Sequence, residues 1–469
     1  MPAAVRASFW FTVSSVLLKG ISFITLPIFS RILSPEEYGT IYVYSTWVSI
    51  IVVFSTLSLW CGVFKVSIAR FHGNKSRIVA AYQGLALTAT VIIGMFFIFF
   101  MHSAADMFDI PDILVIIIFV EILTLIPWNM WMVSEQFDYK YRAIVILTLV
   151  NGVLIPLFSY IGIMLFPENK AEAKIIGGLI PQIIESLIIG GMNFFKGGIF
   201  YDKALWKFGF TFNVVLIPHY LSGLILNQSD RIMIKKMCGG TDVGLYGMAY
   251  TFAMLITLFS NAIESSFTPH IYKSLAREDV EKLPRQSNII ILTLACVMAI
   301  MICFIPDVFT LVLPEEYYEA IWVFPPVITG ILFMFMYSMF GAVEFYYKEN
   351  KFVTIASCLG AVLNIALNYI FIDIFGYIAA AYTTLGCYIL FAVGHYIFMN
   401  IVLKKNSCNY KLYDVHFIGI ISVLLVLFSL VMEVLYINNY ARWGMIGVLS
   451  VVLYSIKDNL IFGIKQMKQ

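Results

Sequence analysis

An α-helix needs about twenty consecutive apolar residues to cross the hydrocarbon core of a bilayer, and stretches of that length recur from one end of this chain to the other. In the first half they occupy 9–32, 39–63, 78–101, 113–133, 144–166 and 175–195. The second half repeats the scheme at 208–234, 243–266, 289–313, 320–346, 352–375 and 377–400, and a further pair follows at 415–436 and 440–462. The expected fold is therefore an all-α polytopic membrane protein with about fourteen transmembrane helices. Composition agrees: a chain that is 61% hydrophobic and 12% charged has too little polar surface to meet water as a soluble domain. The first apolar run is too long for a secretory signal and lacks a small-residue cleavage site, so it reads as the first span.

Orientation follows from lysine and arginine, which favour cytoplasmic loops. With the N-terminus inside, 22 of the 30 basic residues fall in cytoplasmic segments, among them Lys65, Arg70, Lys75, Arg77, Lys203, Lys207, Arg277 and Lys282. The opposite side and its span ends hold Arg31, Lys170, Lys174, Arg231, Lys235, Lys236 and Arg442. An even number of spans returns the C-terminus to the cytoplasm, which predicts a multi-pass protein of the cytoplasmic membrane with both termini inside. The near balance of 30 basic and 28 acidic residues creates no global field for nucleic acid. The seven cysteines form no CxxC pair and read as small packing residues.

The two halves resemble each other. Arg31-Ile-Leu-Ser-Pro-Glu-Glu-Tyr-Gly39 joins the first span to the second, and Asp230-Arg231 to Val243-Gly-Leu-Tyr246 makes the corresponding connection about 200 residues later. A second echo sets Asn151 to Pro156 against Asn364 to Asn368. Six spans per half preserve topology, so these are parallel repeats. The expected organisation is a six-helix lobe over 1–203, a second over 204–405, and an extra helix pair over 406–469. No loop is long enough to fold as a soluble domain, so function belongs to the helix bundle.

Ionisable residues inside the spans are the candidate site, because each costs roughly 2.5–3.5 kcal/mol at the bilayer centre unless it meets water or a partner. Lys19 lies midway along the first span; it is expected to face a central cavity and an anionic substrate group, the alternative being an internal ion pair. Arg31 and Arg231 hold corresponding places at the outer ends of the two repeats and suggest a cavity rim, with interfacial snorkelling as the alternative. Arginine suits phosphate through its planar fork of donors, lysine as a flexible point charge. Asp230 and Asn227, in the polar run before Arg231, and Glu264 with Asn261 in the eighth span are candidates for ion coupling or for polar cavity lining. Glu121, Glu185 and Glu344 allow the same coupling role, which the sequence leaves unassigned, and His395 reads as a packed, hydrogen-bonded side chain in preference to a proton relay. Prolines 27, 127, 156, 181, 218, 325 and 326 are expected to kink helices. Interfacial aromatics such as Tyr38 and Tyr42 belong to the membrane belt or, in a wet cavity, stack on sugar rings. No GxxxxGK[ST], HExxH, GxSxG or kinase signature is present.

The segments 26–39, Ser229-Asp-Arg231 followed by Val243-Gly-Leu-Tyr246, and Asn364 to Asn368 followed by Gly376-Tyr-Ile-Ala-Ala380 occur in an order and spacing that resembles the Wzx-type oligosaccharide flippases of the multidrug/oligosaccharidyl-lipid/polysaccharide exporter superfamily. The resemblance implies six plus six helices around a partly cationic cavity, with an extra pair. It also implies alternating-access transport of undecaprenyl-diphosphate-linked repeat units for O-antigen, capsule or exopolysaccharide assembly. A pyrophosphate headgroup would then meet Lys19, Arg31 and Arg231. The partners implied are the lipid-linked oligosaccharide, membrane lipids, a polysaccharide polymerase and glycosyltransferases. No cofactor is expected; a proton or sodium gradient is the candidate driving force. Competing readings are a lipid II or multidrug exporter of the same superfamily, and a polysaccharide polymerase or ligase, which the absence of a large external loop disfavours.

Overall fold

The computed structural model describes residues 3–71, 74–408 and 410–466. Its helices are α1 (Ala3–Ser30), α2 (Pro35–Ser55), α3 (Val63–Phe71), α4 (Lys75–Phe99), α5 (Met101–Phe108), α6 (Asp112–Phe137), α7 (Arg142–Leu165), α8 (Lys170–Gly197) and α9 (Lys203–Val214). They continue with α10 (Ile217–Met237), α11 (Gly240–Ala253), α12 (Leu255–Arg277), α13 (Leu283–Val312), α14 (Phe324–Tyr346), α15 (Asn350–Phe375), α16 (Ile378–Lys405), α17 (Val415–Leu435) and α18 (Asn439–Gln466). There is no strand among the described residues. Among the described residues eleven helices are long and apolar enough to span a membrane, or twelve with α11 and α12 taken as one span bent by 41°. The protein is thus an all-helical, multi-pass membrane protein. Helix α10 falls outside that set because Asp230, Arg231, Lys235 and Lys236 crowd its second half.

Several apolar runs that read as single spans are broken. The second ends at Ser55; Leu57 and Ser58 take left-handed backbone conformations (φ 54° and 48°), and the chain resumes as the short helix α3. The seventh divides into α9 and α10, and Pro218 sits in the first turn of α10, where its missing N–H costs nothing. The eighth divides at Met254. Pro218, Pro325 and Pro326 therefore start helices instead of kinking them, whereas Pro27, Pro127, Pro156 and Pro181 lie inside α1, α6, α7 and α8.

The helices form two compact units, Met1–Gly244 and Leu245–Gln469. By packing, α10 belongs to the first unit because it lies along α2, so the seam falls beyond the 203/204 boundary drawn from the repeat. In the first unit a buried amide cluster stitches α4, α6 and α8: Asn193 donates to Gln83 Oε1 at 2.7 Å and to the Pro127 carbonyl at 3.3 Å, and Gln83 donates to the Gly190 carbonyl at 3.2 Å. Tyr44 of α2 donates to the Glu121 carboxylate of α6 at 2.6 Å.

In the second unit α14 is the central post, with 83% of its apolar window buried, and it packs chiefly along α16. The C-terminal pair is bolted to this unit. Arg442, only 2% exposed, makes a two-pronged ion pair with Asp307 of α13 at 2.9 and 2.7 Å. Tyr436 donates to the Ile302 carbonyl at 2.6 Å, and Tyr382 of α16 donates to Glu433 of α17. All seven cysteines are free.

Outside the spans, Lys75 at the start of α4 reaches Asp138 at 2.5 Å and the Ser134 carbonyl at 3.0 Å, with Lys140 at 3.3 Å from the same carboxylate. The hydrogen bond from Lys75 holds the Asp138 carboxyl below its ordinary value. A depressed carboxyl adds stability above its unfolded value and loses it as pH falls through the folded one. Asp138→Asn should therefore lower the thermal midpoint of detergent-solubilised protein at neutral pH, by less than ~1 kcal/mol for so exposed a pair. The difference from wild type should vanish in acid.

Candidate functional site

The sequence motif Ser34-Pro-Glu-Glu37 is a helix start. Ser34 caps α2 by accepting from the Glu37 backbone at 3.3 Å, Glu37 returns the bond to the Ser34 N–H at 2.7 Å, and Pro35 occupies the first turn. This fixes the register of α2, so that Tyr38 and Tyr42, four residues apart, share one face. Their rings lie 5.9 Å apart at an interplanar angle of 30°.

Two cations flank this aromatic pair. Lys174 of α8 places its ammonium 4.3 Å from the centroid of Tyr38 and 4.6 Å from that of Phe29. Arg231 of α10 sets its guanidinium 5.9 Å from the centroid of Tyr42, with Nη1 3.5 Å from Gln228 Oε1. Gln228 in turn accepts from Thr46 of α2 at 3.4 Å. The result is a continuous row within the first unit, running Lys174, Tyr38, Tyr42, Arg231. Beside it, Arg31 is exposed in the α1–α2 turn, and Lys170 donates to the Ile32 carbonyl of that turn at 3.0 Å. A cation is attracted to the face of an aromatic ring; Tyr38 is buried at 4% exposure and Tyr42 is half-buried, so Tyr42 is the more accessible ring of the pair.

The remaining candidates divide as follows. Lys19 is exposed on α1 and makes no ion pair among the described residues, so the ion-pair alternative is set aside. Its neighbours Leu18 and Ile21 pack against Gly152 of α7, while Gly20 meets open space; Lys19 therefore projects away from the packed face. Asp230 is 1% exposed and accepts the Arg231 backbone N–H at 2.9 Å, whereas Asn227 is exposed and donates to the Gly223 carbonyl at 2.7 Å. In the second unit, Glu264 of α12 accepts from Ser338 of α14, and Asn261 is exposed one turn earlier. Asn364 and Asn368 lie buried on α15, hydrogen-bonded to each other at 3.2 Å and to Thr384 and Thr383 of α16.

The repeat-related connections touch each other. A Cβ on Gly39 would stand 1.9 Å from the Gly240 carbonyl oxygen, and one on Gly244 would stand 1.8 Å from the Pro35 carbonyl oxygen. The start of α2 and the start of α11 are thus in backbone-to-backbone contact, which only glycine permits at these two places.

The profile of the family described as "Polysaccharide biosynthesis protein" matches residues 4–275, more than half of the chain. The chain belongs to that family. A second profile, MatE, matches residues 216–370. Among relatives, "Lsg locus putative protein 1" of Haemophilus influenzae is 23% identical over 374 residues, 76% of this chain and 88% of that protein. An "Uncharacterized membrane protein" of the same organism is 23% identical over 325 residues, 67% of this chain and 74% of that protein. Among solved structures, the lipid II flippase MurJ in an inward closed conformation superimposes with a TM-score of 0.69 at 13% identity, covering 98% of this chain and 99% of MurJ. An inward-facing multidrug resistance MATE family transporter gives 0.65 at 14% identity, over 84% of this chain and 96% of its own. This member of the polysaccharide biosynthesis family therefore shares the fold of those flippase and multidrug-transporter structures.

Lys170 and Lys174 were not singled out by sequence as site residues. Their spacing of four places both on one face of α8, and the topology puts that end of α8 on the same side as Arg31. Their aromatic and carbonyl partners come from α1 and α2, about 140 residues earlier in sequence, which no local pattern reports.

Because the opposed atoms at Gly39 and Gly244 are backbone, neither can swing aside. Gly39→Ala and Gly244→Ala should each destabilise the purified protein by ~1–3 kcal/mol, seen as a lower thermal midpoint. Gly191→Ala, at a site with nothing within 4 Å of the added carbon, should not.

Proposed function

We propose that this transporter moves undecaprenyl-diphosphate-linked oligosaccharide repeat units across the cytoplasmic membrane for surface polysaccharide assembly, whether O-antigen, capsule or exopolysaccharide. The observation that carries the reading is the row of Lys174, Tyr38, Tyr42 and Arg231 with Arg31 beside it. A diphosphate needs fork-shaped and point-charge donors in one place, and a sugar needs flat faces within a few ångströms of them; the row supplies both. The Arg231 guanidinium takes phosphate oxygens, the Lys174 ammonium takes those of the neighbouring phosphate, and Tyr42, the half-buried member of the pair, receives the first sugar. Lys19, projecting from α1, offers a further cation along the route. The lipid tail stays in hydrocarbon throughout, so only the polar head must be sheltered. Both termini lie in the cytoplasm, glycosyltransferases supply the cargo there, and a polymerase consumes it on the far side.

The family description supports a polysaccharide pathway. A cationic row disfavours export of cationic drugs. Lipid II, also a diphosphate-linked saccharide, is the second reading, favoured by the near-complete superposition on MurJ, C-terminal helices included.

In cells lacking the chromosomal copy, Arg231→Ala and Lys174→Met should each reduce surface polysaccharide at least tenfold with protein levels unchanged, and Arg231→Lys should restore only part of it. Liposomes carrying purified protein should translocate a diphosphate-linked oligosaccharide lipid. Normal polysaccharide from both variants would remove the row from the mechanism, and translocation of lipid II alone would select the second reading.

A further inference from the structure

Deep in the second unit, His395 of α16 and Glu344 of α14 face each other with Nδ1 2.8 Å from Oε1, and the two side chains are 2% and 0% exposed. The second carboxylate oxygen, Oε2, is buried with no hydrogen-bond partner. The Tyr337 ring stacks on the imidazole at 5.6 Å, Phe391 lies at 6.2 Å, and Gly341 fills the gap opposite with its Cα, leaving 3.7 Å between a notional Cβ and Nδ1. Such a pair is hard to justify as a stabilising feature alone, since buried ion pairs are commonly replaceable by apolar residues without loss.

The groups around the pair are few. From α14 and α16 come Tyr337, Tyr346, Tyr388 and Tyr396; from α12, Glu264 and Tyr272, the latter against Tyr346. The segment before α17 brings Tyr413, which donates to the Met339 carbonyl. From α15, Gly360 meets Phe391. Asp307 of α13 and Arg442 of α18 are engaged with each other, and Glu433 of α17 with Tyr382 of α16. No lysine or arginine pairs with Glu344 among the described residues. The pair is thus electrically balanced only when it holds one proton. Removing that proton leaves an uncompensated negative charge in a dry site, and adding another leaves a positive one; either is tolerated only if water enters.

We propose that Glu344 and His395 form the proton-binding site that couples this transporter to a proton gradient. The inference rests on the transport function proposed above. One proton is taken from water on one side when the α14–α16 contact opens, is held between Oε1 and Nδ1 while the site is closed, and returns to water on the other side. Glu264, half-buried on α12, accepts from Ser338, the residue that follows Tyr337 on α14. A hard metal cation would need several oxygen ligands, where this pocket offers one carboxylate, an imidazole and ring faces.

The test uses the full-length protein, wild type and with Glu344→Gln, His395→Asn or Glu349→Gln, the last at a surface carboxylate paired with Lys405. Infrared difference spectra between acid and alkaline media should show a buried-carboxyl band that E344Q lacks and H395N shifts. In phosphatidylethanolamine/phosphatidylglycerol liposomes, an imposed proton gradient should accelerate translocation of a diphosphate-linked oligosaccharide lipid several-fold in wild type and E349Q, and the ratio with and without gradient should fall to one in E344Q and H395N. Persistence of the band in E344Q, persistence of the ratio in both variants, or acceleration by a sodium gradient in place of a proton gradient would overturn the proposal. The infrared readout needs no substrate, so a wild type that translocates nothing would sink the functional reading while leaving the proton site to be decided by its band.

Discussion

Hydrocarbon offers no water to an exposed peptide group, and this one constraint organises the whole chain. It explains why every apolar run becomes helix, and it also dictates what must surround each break. Where α2 stops, Thr90 donates to the Ser55 carbonyl at 3.1 Å and Asn213 to the Leu57 carbonyl at 2.8 Å. Asn193 catches the Pro127 carbonyl inside α6, and Trp206 of α9 donates to the Ala81 carbonyl at 2.8 Å. The break after α2 is met by polar side chains from α4 and α9, so it is a property of the packed unit and not of the segment that contains it.

The same constraint sorts the charges. Asp307 and Arg442 neutralise each other across the α13–α18 contact, and Glu121 and Glu433 each accept from a tyrosine hydroxyl. Lys174 and Arg231 lie against ring faces. The Asp307–Arg442 pair and the tyrosine–carboxylate bonds join helices, whereas the ring contacts set two basic groups along one face of α2.

Much of this was legible in the sequence. Apolar length located the helices, and the matched segments around Arg31 and Arg231 marked a region that the structure gathers along one face of α2. The breaks at Met254 and between Val214 and Ile217 were not legible, because apolar content continues through them and the interruption is set by contacts. Nor was the partner of Arg442, since the reading of loops treats every basic residue near a span end as facing water. Lys174 escaped for a related reason: its rings belong to two other helices. His395 was read correctly as hydrogen-bonded, but its acidic partner lies 51 positions away, out of reach of any local pattern.

The contacts at Gly39 and Gly244 bear on how a chain of this kind can diversify. Side chains along the tyrosine face can be exchanged one at a time, because their contacts are with other side chains. The two glycines meet backbone carbonyl oxygens within the first unit, and no change of residue type on that side can make room for a methyl group. The tyrosine face and the contact between the starts of α2 and α11 are thereby written in separate alphabets, one of side chains and one of bare backbone. A lineage can retune the first without loosening the second.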